Sequence, residues 1–380
     1  MNQIKEPIKL CMIITDAISF NTLCRGQLEF LRDTKKFKLT LICGGDESQI
    51  NILKSRNLGQ VVIMPFVRQP ALFTDLKCLL QLFRYFLFNR FDLVLYSTPK
   101  ALLLGSLASY LSFQKNRTAL VRGRVYENYV GKKRKIFSSL DKICLTVSHQ
   151  VIFISNSLKK VYNNEHLVSE SKSIIIKQGS SNGVDTLSFI PLEKKINKTF
   201  KILLMGRVCQ DKGIADLVEI LPKIQNLNVE VQIVGKVEDK ISQDILAKIL
   251  EDFDFVKYIP HTTDPIQFFQ NADLHLFLSH REGFGNVALE AASCNVPTFA
   301  YDVVGIKDSV KEKVSGLRFA YKDTDSIARA IRVAVSNPID FRNNFSNTRS
   351  WAVENFEQKD VWQRYAQLYI DIVEGKLNRD

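Results

Sequence analysis

Short apolar runs alternate with longer stretches of helical periodicity along most of this chain, and the alternation starts afresh near residue 200. Strand then helix, repeated, is the mark of parallel sheets, because parallel neighbours are joined by a crossover of a dozen or more residues. In the first half, strands read at 10–15, 38–43, 61–64, 92–96, 118–121, 151–154 and 174–177, with helices at 27–32, 76–91, 102–111, 135–147 and 157–162. In the second half, strands read at 201–205, 229–234, 255–259, 273–278 and 297–300. The helices there read at 213–221, 243–252, 265–271, 286–294, 306–310 and 326–336. The turn-rich stretch 179–193 reads as a connection, and the amphipathic stretch from Trp351 to Gly375 as a C-terminal helical segment packed on one or both domains. The expectation is an α/β chain with domains at 1–180 and 181–355 and a helical tail at 356–380. Two doubly wound domains in tandem would set a cleft between the carboxyl ends of their strands.

Charge is unevenly distributed. Of a net +12, residues 1–190 carry 27 Lys and Arg against 13 Asp and Glu, and residues 191–380 carry 25 against 27. Cations are densest from Arg117 to Lys135, and the Leu- and Phe-rich stretch 76–91 is dotted with them. Basic beside apolar suits an anionic membrane surface, while the plainer alternative is a core helix with a solvated cationic face. Nucleic acid would also attract such charge, but no nucleic-acid module is recognisable, so it is not expected as a partner. No apolar run reaches the length of a membrane span, and Met1–Pro7 lacks the features of a secretory leader. The seven cysteines are scattered, odd in number and without a C-x-x-C pair, which suits free thiols in a reducing cytoplasm.

The segment from Glu282 to Glu290 carries the chemistry. The strand 274–278 runs into Glu282-Gly-Phe-Gly-Asn-Val287, which opens a helix. Strand, glycine turn and helix N-terminus is how α/β proteins hold phosphate, through free backbone N–H groups and the positive end of the helix. Two carboxylates beside such a turn suit hydroxyl-rich groups flanking the phosphate, the description of a nucleotide sugar. A second loop, Gly206-Arg207 through Lys212-Gly213, follows another strand and offers two cations to a diphosphate.

These motifs, with Asn182-Gly-Val-Asp185 and the Glu-x7-Glu spacing of Glu282 and Glu290, resemble glycosyltransferase family 4. The resemblance covers most of residues 179–320 and extends through Pro297, Asp302-Val-Val-Gly305 and Ser315-Gly-Leu317. A weaker likeness in the first half points to the subgroup that builds capsule or O-antigen units on a lipid carrier. It implies a GT-B fold, two Rossmann-like domains facing each other across a cleft, and transfer with retention of anomeric configuration. In the family's pattern Arg207 and Lys212 bind the donor diphosphate, and Gly206 turns the chain. Gly283, Phe284, Gly285, Asn286 and Val287 present backbone N–H groups, Glu290 holds the ribose, and Glu282 lies at the donor sugar. The loop Ile259, Pro260, His261 is expected at the base. Asp16, Ser19, Arg122, Arg124 and Tyr126 are candidates for the acceptor.

The implied reaction moves a hexose or N-acetylhexosamine from a UDP-sugar to a polyprenyl-diphosphate-linked saccharide at the inner face of the cytoplasmic membrane. No tightly bound cofactor and no metal are expected. The D-x-D pair at 252–254 sits before a strand, not at a strand's carboxyl end, and the pattern recurs at 323–325; the five histidines show no i, i+4 pair. His280, just before Glu282, either lines the cleft or serves the fold. The alternatives are a nucleotide-sugar epimerase or sugar phosphorylase of the same fold, or an inactive nucleotide-sugar-binding membrane protein.

Overall fold

A computed structural model describes residues 6–193 and 198–377. The first five residues, on which the reading of an absent leader partly rests, lie outside the described residues. The chain divides into two compact units, one formed by Met1–Asn182 with Lys359–Asp380, the other by Gly183–Gln358.

The first unit is built on β1 (Ile8–Asp16), β2 (Phe37–Gly44), β3 (Gln60–Ile63), β4 (Leu93–Ser97), β5 (Arg117–Val121), β6 (Gln150–Phe153) and β7 (Ser173–Ile175). They form a parallel sheet in the order β3-β2-β1-β4-β5-β6-β7. The central strands are buried on both faces, which is why β1 and β4 read as near-continuous apolar runs. Crossovers between parallel strands are right-handed. The steps β1 to β2 to β3 go one way, and those from β3 through β4 to β6 go the other. Helices Ala17–Leu23, Gln27–Asp33 and Glu47–Ser55 therefore cover one face. Helices Leu72–Phe88, Pro99–Leu111 and Gly131–Val147 cover the opposite one.

The second unit repeats the scheme with β8 (Phe200–Met205), β9 (Val229–Val234), β10 (Val256–Ile259), β11 (Leu274–Phe277), β12 (Thr298–Tyr301) and β13 (Gly316–Phe319), ordered β10-β9-β8-β11-β12-β13. Its core gathers Ile202, Leu217, Val231, Leu276, Phe299 and Ile331 from strands and helices alike.

The structure adds elements to this reading. Residues after Asp16 form the helix Ala17–Leu23, started by the Asp16 carboxylate accepting from Ile18 N–H at 3.1 Å. The strand β13 and the helices Glu47–Ser55 and Pro338–Asn344 were not read at all. The helical segment 351–375 falls into two helices, Thr348–Phe356 and Gln358–Glu374, which meet at Glu357, where ψ is 127°. The first stays with the second unit, with Phe356 against Phe284 at 5.4 Å between ring centroids. The last helix returns to the first unit. There Trp362 donates to Asn182 Oδ1 at 2.8 Å, and its ring fills the space where a side chain on Gly26 would stand. Tyr365 donates to the Ser180 carbonyl at 3.1 Å, and Tyr369 meets Phe37 edge-on.

All seven cysteines are free and buried. No helix among the described residues is long and apolar enough to cross a membrane.

Candidate active site

In the second unit β11 delivers the chain into a loop that ends at Gly285, the N-cap of helix Asn286–Ser293. Gly285 has φ +91°, and a Cβ there would come within 2.8 Å of the Phe277 ring, so the tight approach needs glycine. A glycine N-cap adds no side chain of its own at the amides that open the helix. Phe284, expected to present its backbone N–H, is 3% exposed and anchors the loop in the core.

The facing wall comes from β8. After Met205, Gly206 turns the chain and Arg207 reaches Glu238, with Nη1 to carboxylate at 2.6 Å. A single 3-10 turn, Gln210–Lys212, ends at Gly213, whose φ of +78° and contact with the Leu278 carbonyl also demand glycine. This turn is fastened to the loop after β11 by two crossed ion pairs. Lys212 Nζ donates to Glu282 Oε1, and Arg281 Nε donates to Asp211 at 2.9 Å. His280 N–H donates to the Asp211 carbonyl at 2.8 Å, and Ser279 Oγ donates to Glu282 Oε1 at 3.0 Å. Asp211, Ser279 and Arg281 escaped the sequence reading. The signal was there: Asp211-Lys212 and Arg281-Glu282 are dipeptides of opposite charge order that pair residue for residue.

Between these walls lies a pocket of about 380 Å³, lined by Gly206, Arg207, Lys212, Glu282, Asn286 and Glu290 together with Gly285, Val287 and apolar neighbours. That is within the range of small-molecule sites. Glu290 sits at its wall, half-buried, and its carboxylate has no hydrogen-bond partner among the described residues. Burial pushes its carboxyl up to about 7. A partnerless acid of this kind is poised to accept two hydroxyl donors from a ligand. Ile259 closes β10 nearby in the same unit, with Pro260 and His261 exposed beyond it. Ile259, Pro260, His261 and Gly283 are not among the pocket's lining residues.

His280 serves the fold. Its Nε2 lies 2.7 Å from the Asp216 carboxylate, which also accepts from Tyr301 at 2.9 Å. Burial alone would raise the Asp216 carboxyl, but these two hydrogen bonds outweigh it and hold it below the ordinary range. No group of three or more His, Cys, Asp or Glu fit to hold a metal ion occurs among the described residues.

In the first unit the acceptor candidates separate. Arg124 is buried, its guanidinium spent on Glu127 at 2.7 Å and Glu165 at 2.7 Å. Tyr126 is 1% exposed and donates to Asp141 at 2.9 Å. Neither is offered to a ligand. Asp16 caps its helix and pairs with Arg68 at 3.2 Å, and Ser19 is half-buried on that helix. Arg122 differs. It leaves the carboxyl end of β5, donates to Ser97 Oγ at 3.0 Å, and keeps Nη1 buried with no hydrogen-bond partner among the described residues.

Residues 189–350 match the family model described as glycosyl transferases group 1. Over 359 residues, 91% of this chain and 93% of the relative, the sequence is 32% identical to the capsular polysaccharide biosynthesis glycosyltransferase CapM of Staphylococcus aureus. It is 23% identical over 92% of its length to the N,N'-diacetylbacillosaminyl-diphospho-undecaprenol alpha-1,3-N-acetylgalactosaminyltransferase of Campylobacter jejuni, spanning 94% of that protein. The fold is similar to HepE of Anabaena, solved in complex with UDP. The TM-score is 0.75 at 17% identity, over 96% of this chain and 100% of the other. On the strength of these matches and of its two parallel sheets, the chain belongs to the group 1 glycosyltransferases and is a transferase of GT-B fold.

Proposed function

We propose that this chain transfers a hexose or N-acetylhexosamine, with retention, from a UDP-sugar to a polyprenyl-diphosphate-linked saccharide during surface polysaccharide synthesis. It would act from a peripheral position on the inner face of the cytoplasmic membrane. The observation that carries the reading is one pocket of the second unit, where two cations, two carboxylates and a helix N-terminus converge. The names of the S. aureus and C. jejuni relatives support capsule synthesis and a lipid-diphosphate acceptor, and the UDP complex of HepE supports the nucleotide.

In this reading the bond from the anomeric carbon to the β-phosphate oxygen breaks, and UDP leaves with the electron pair. The acceptor hydroxyl bonds to the same face of the sugar and its proton passes to the departing UDP. We assign the growing charge on the diphosphate to Arg207, Lys212 and the amides opening helix Asn286–Ser293, with no metal and no bound cofactor. Lys212 must first exchange Glu282 for phosphate, which frees the carboxylate to face the sugar. Glu290 takes the ribose hydroxyls. In the first unit, the partnerless nitrogen of Arg122 is our choice for the acceptor phosphate.

The test is thermal stability with UDP and UDP-sugars, followed by transfer to a lipid-linked acceptor. A ligand at 100 times its Kd stabilises by about 2.7 kcal/mol. The expected result is a shift with UDP that Lys212→Ala abolishes along with transfer. Full transfer by Lys212→Ala would overturn the assignment, and an isomerised sugar as product would identify an epimerase.

A further inference from the structure

Helix Leu72–Phe88 is built the wrong way round for a solvated surface helix. Its buried edge is Cys78, Leu82 and Phe86, as a core helix requires. Its outer edge is also apolar: Leu72 is 87% exposed, Phe73 92%, Leu76 56%, Leu80 59% and Phe88 78%. Residues 72, 73, 76 and 80 fall within about a 100° arc at 100° per residue, one continuous stripe. Phe113, 86% exposed, extends it beyond the end of the neighbouring helix, since Arg90 ties that helix end to its own by donating to the Phe113 carbonyl at 3.4 Å.

The polar surroundings of the stripe have one sign. Lys77, Arg84 and Arg90 are exposed beside it. Helix Pro99–Leu111 packs between this helix and Gly131–Val147. The latter's outer edge mixes Lys132, Lys135 and Lys142 with Ile136, 60% exposed, and Ile143, 46% exposed. The single carboxylate of each flanking helix is turned to internal partners. Asp75 pairs with Lys100 at 2.7 Å, and Asp141 accepts from Tyr126 and Tyr162. Residues 68–147 hold 14 Lys and Arg against 4 Asp and Glu, a net +10 of the chain's +12. Four cations also crowd the N-terminal turn of Gly131–Val147, where the helix dipole disfavours them. Arg134 pairs with Glu165 at 2.8 Å and Lys133 lies over the Tyr129 ring, while Lys132 and Lys135 are exposed and suited to an outside anion.

We propose that the helical layer on this face of the first sheet is a docking surface for an anionic lipid bilayer. Leu72, Phe73, Leu76, Leu80 and Phe88 enter the boundary between headgroups and acyl chains. Lys77, Arg84, Lys132, Lys135 and Lys142 meet lipid phosphates. A second copy of this chain is the poorer partner, since it would bring the same excess of positive charge to the contact. The inference rests on the reading above for its lipid-borne acceptor and names the surface that reaches it.

Because the native thiols are all buried, a single introduced cysteine can carry an environment-sensitive fluorophore. Phe73→Cys reports the stripe, and Ile52→Cys, exposed on a helix covering the opposite face of the sheet, is the control. Vesicles of phosphatidylglycerol with phosphatidylcholine should blue-shift the first label and not the second. Partition should be about tenfold or more tighter than onto phosphatidylcholine alone. Leu76→Ser with Leu80→Ser should remove the shift while leaving the melting temperature in place. No shift with anionic vesicles, equal shifts at both labels, or a shift that follows protein concentration without lipid would each overturn the proposal, the last by revealing self-association. The UDP-dependent thermal shift of the same preparation separates the two ideas. Lost UDP binding with intact vesicle binding sinks the donor reading and spares this one.

Discussion

Two side chains in the pocket make opposite demands on charge. Lys212 is neutralised by Glu282, whereas Glu290 lines the pocket with no hydrogen-bond partner among the described residues. Burial raises the Glu290 carboxyl to about 7 from an ordinary value of 4.5, so folding opposes its ionisation. The cost is absent below about pH 4.5, grows between there and 7, and is complete above. Glu290→Gln should therefore stabilise the empty protein above pH 7 by up to roughly 2 kcal/mol and leave it unchanged at pH 4, as melts at the two pH values would show. If the carboxylate receives ribose hydroxyls, nucleotide binding near pH 6.5 releases a proton. Calorimetry in buffers of different ionisation enthalpy should detect that release in the native protein and not in Glu290→Gln. In the first unit, Arg122→Ala should raise the KM for the lipid-linked acceptor about tenfold or more while the UDP-dependent thermal shift stays as it was, a loss on the scale of one charged hydrogen bond. An unchanged acceptor KM would remove Arg122 from the site.

At the scale of elements, both loops that wall the pocket depend on glycines held at positive φ. Gly213→Ala would place a Cβ 2.3 Å from the Leu278 carbonyl oxygen, backbone that cannot yield, and should cost about 2–3 kcal/mol in urea unfolding. Gly131→Ala, at φ +61° with open space around it, should cost only about 1 kcal/mol. The sheets were legible in the sequence because strands buried on both faces leave short apolar runs, and these alternate with longer stretches of helical period. β13 was not, because Gly316-Leu-Arg-Phe319 is short, half-buried and begins with the residue least suited to a strand. Ala17–Leu23 was missed because Ile18 and Leu23 face outward and blur its period. The site was legible where backbone conformation dictates residue type, at Gly285 and Gly213, and where charges are fixed beside them. Arg124 and Tyr126 misled because a buried ion network and a ligand contact draw on the same residue types, and only burial tells them apart.

At the scale of the whole molecule, the first unit is discontinuous. Its last helix brings buried Val361, Trp362, Tyr365, Leu368, Tyr369 and Ile372, so deleting residues 359–380 should uncover the face lined by Gly26 and Phe37. Calorimetry of the truncated chain should show the first unit's transition lost or lowered by tens of degrees. A UDP-dependent transition of residues 183–358 should remain. A single unshifted transition would mean that the two units do not melt apart. The same connectivity sets a timetable for synthesis. The ribosome delivers residues 1–182, then the entire second unit, and only then the helix that completes the first. At about 5–20 residues per second the early strands wait roughly 10–35 s for their final cover, while the unit made later finishes sooner. The nascent protein thus spends that interval with its second half whole and its first half ajar, which makes the unfinished first unit the natural client of any holding factor at the exit tunnel.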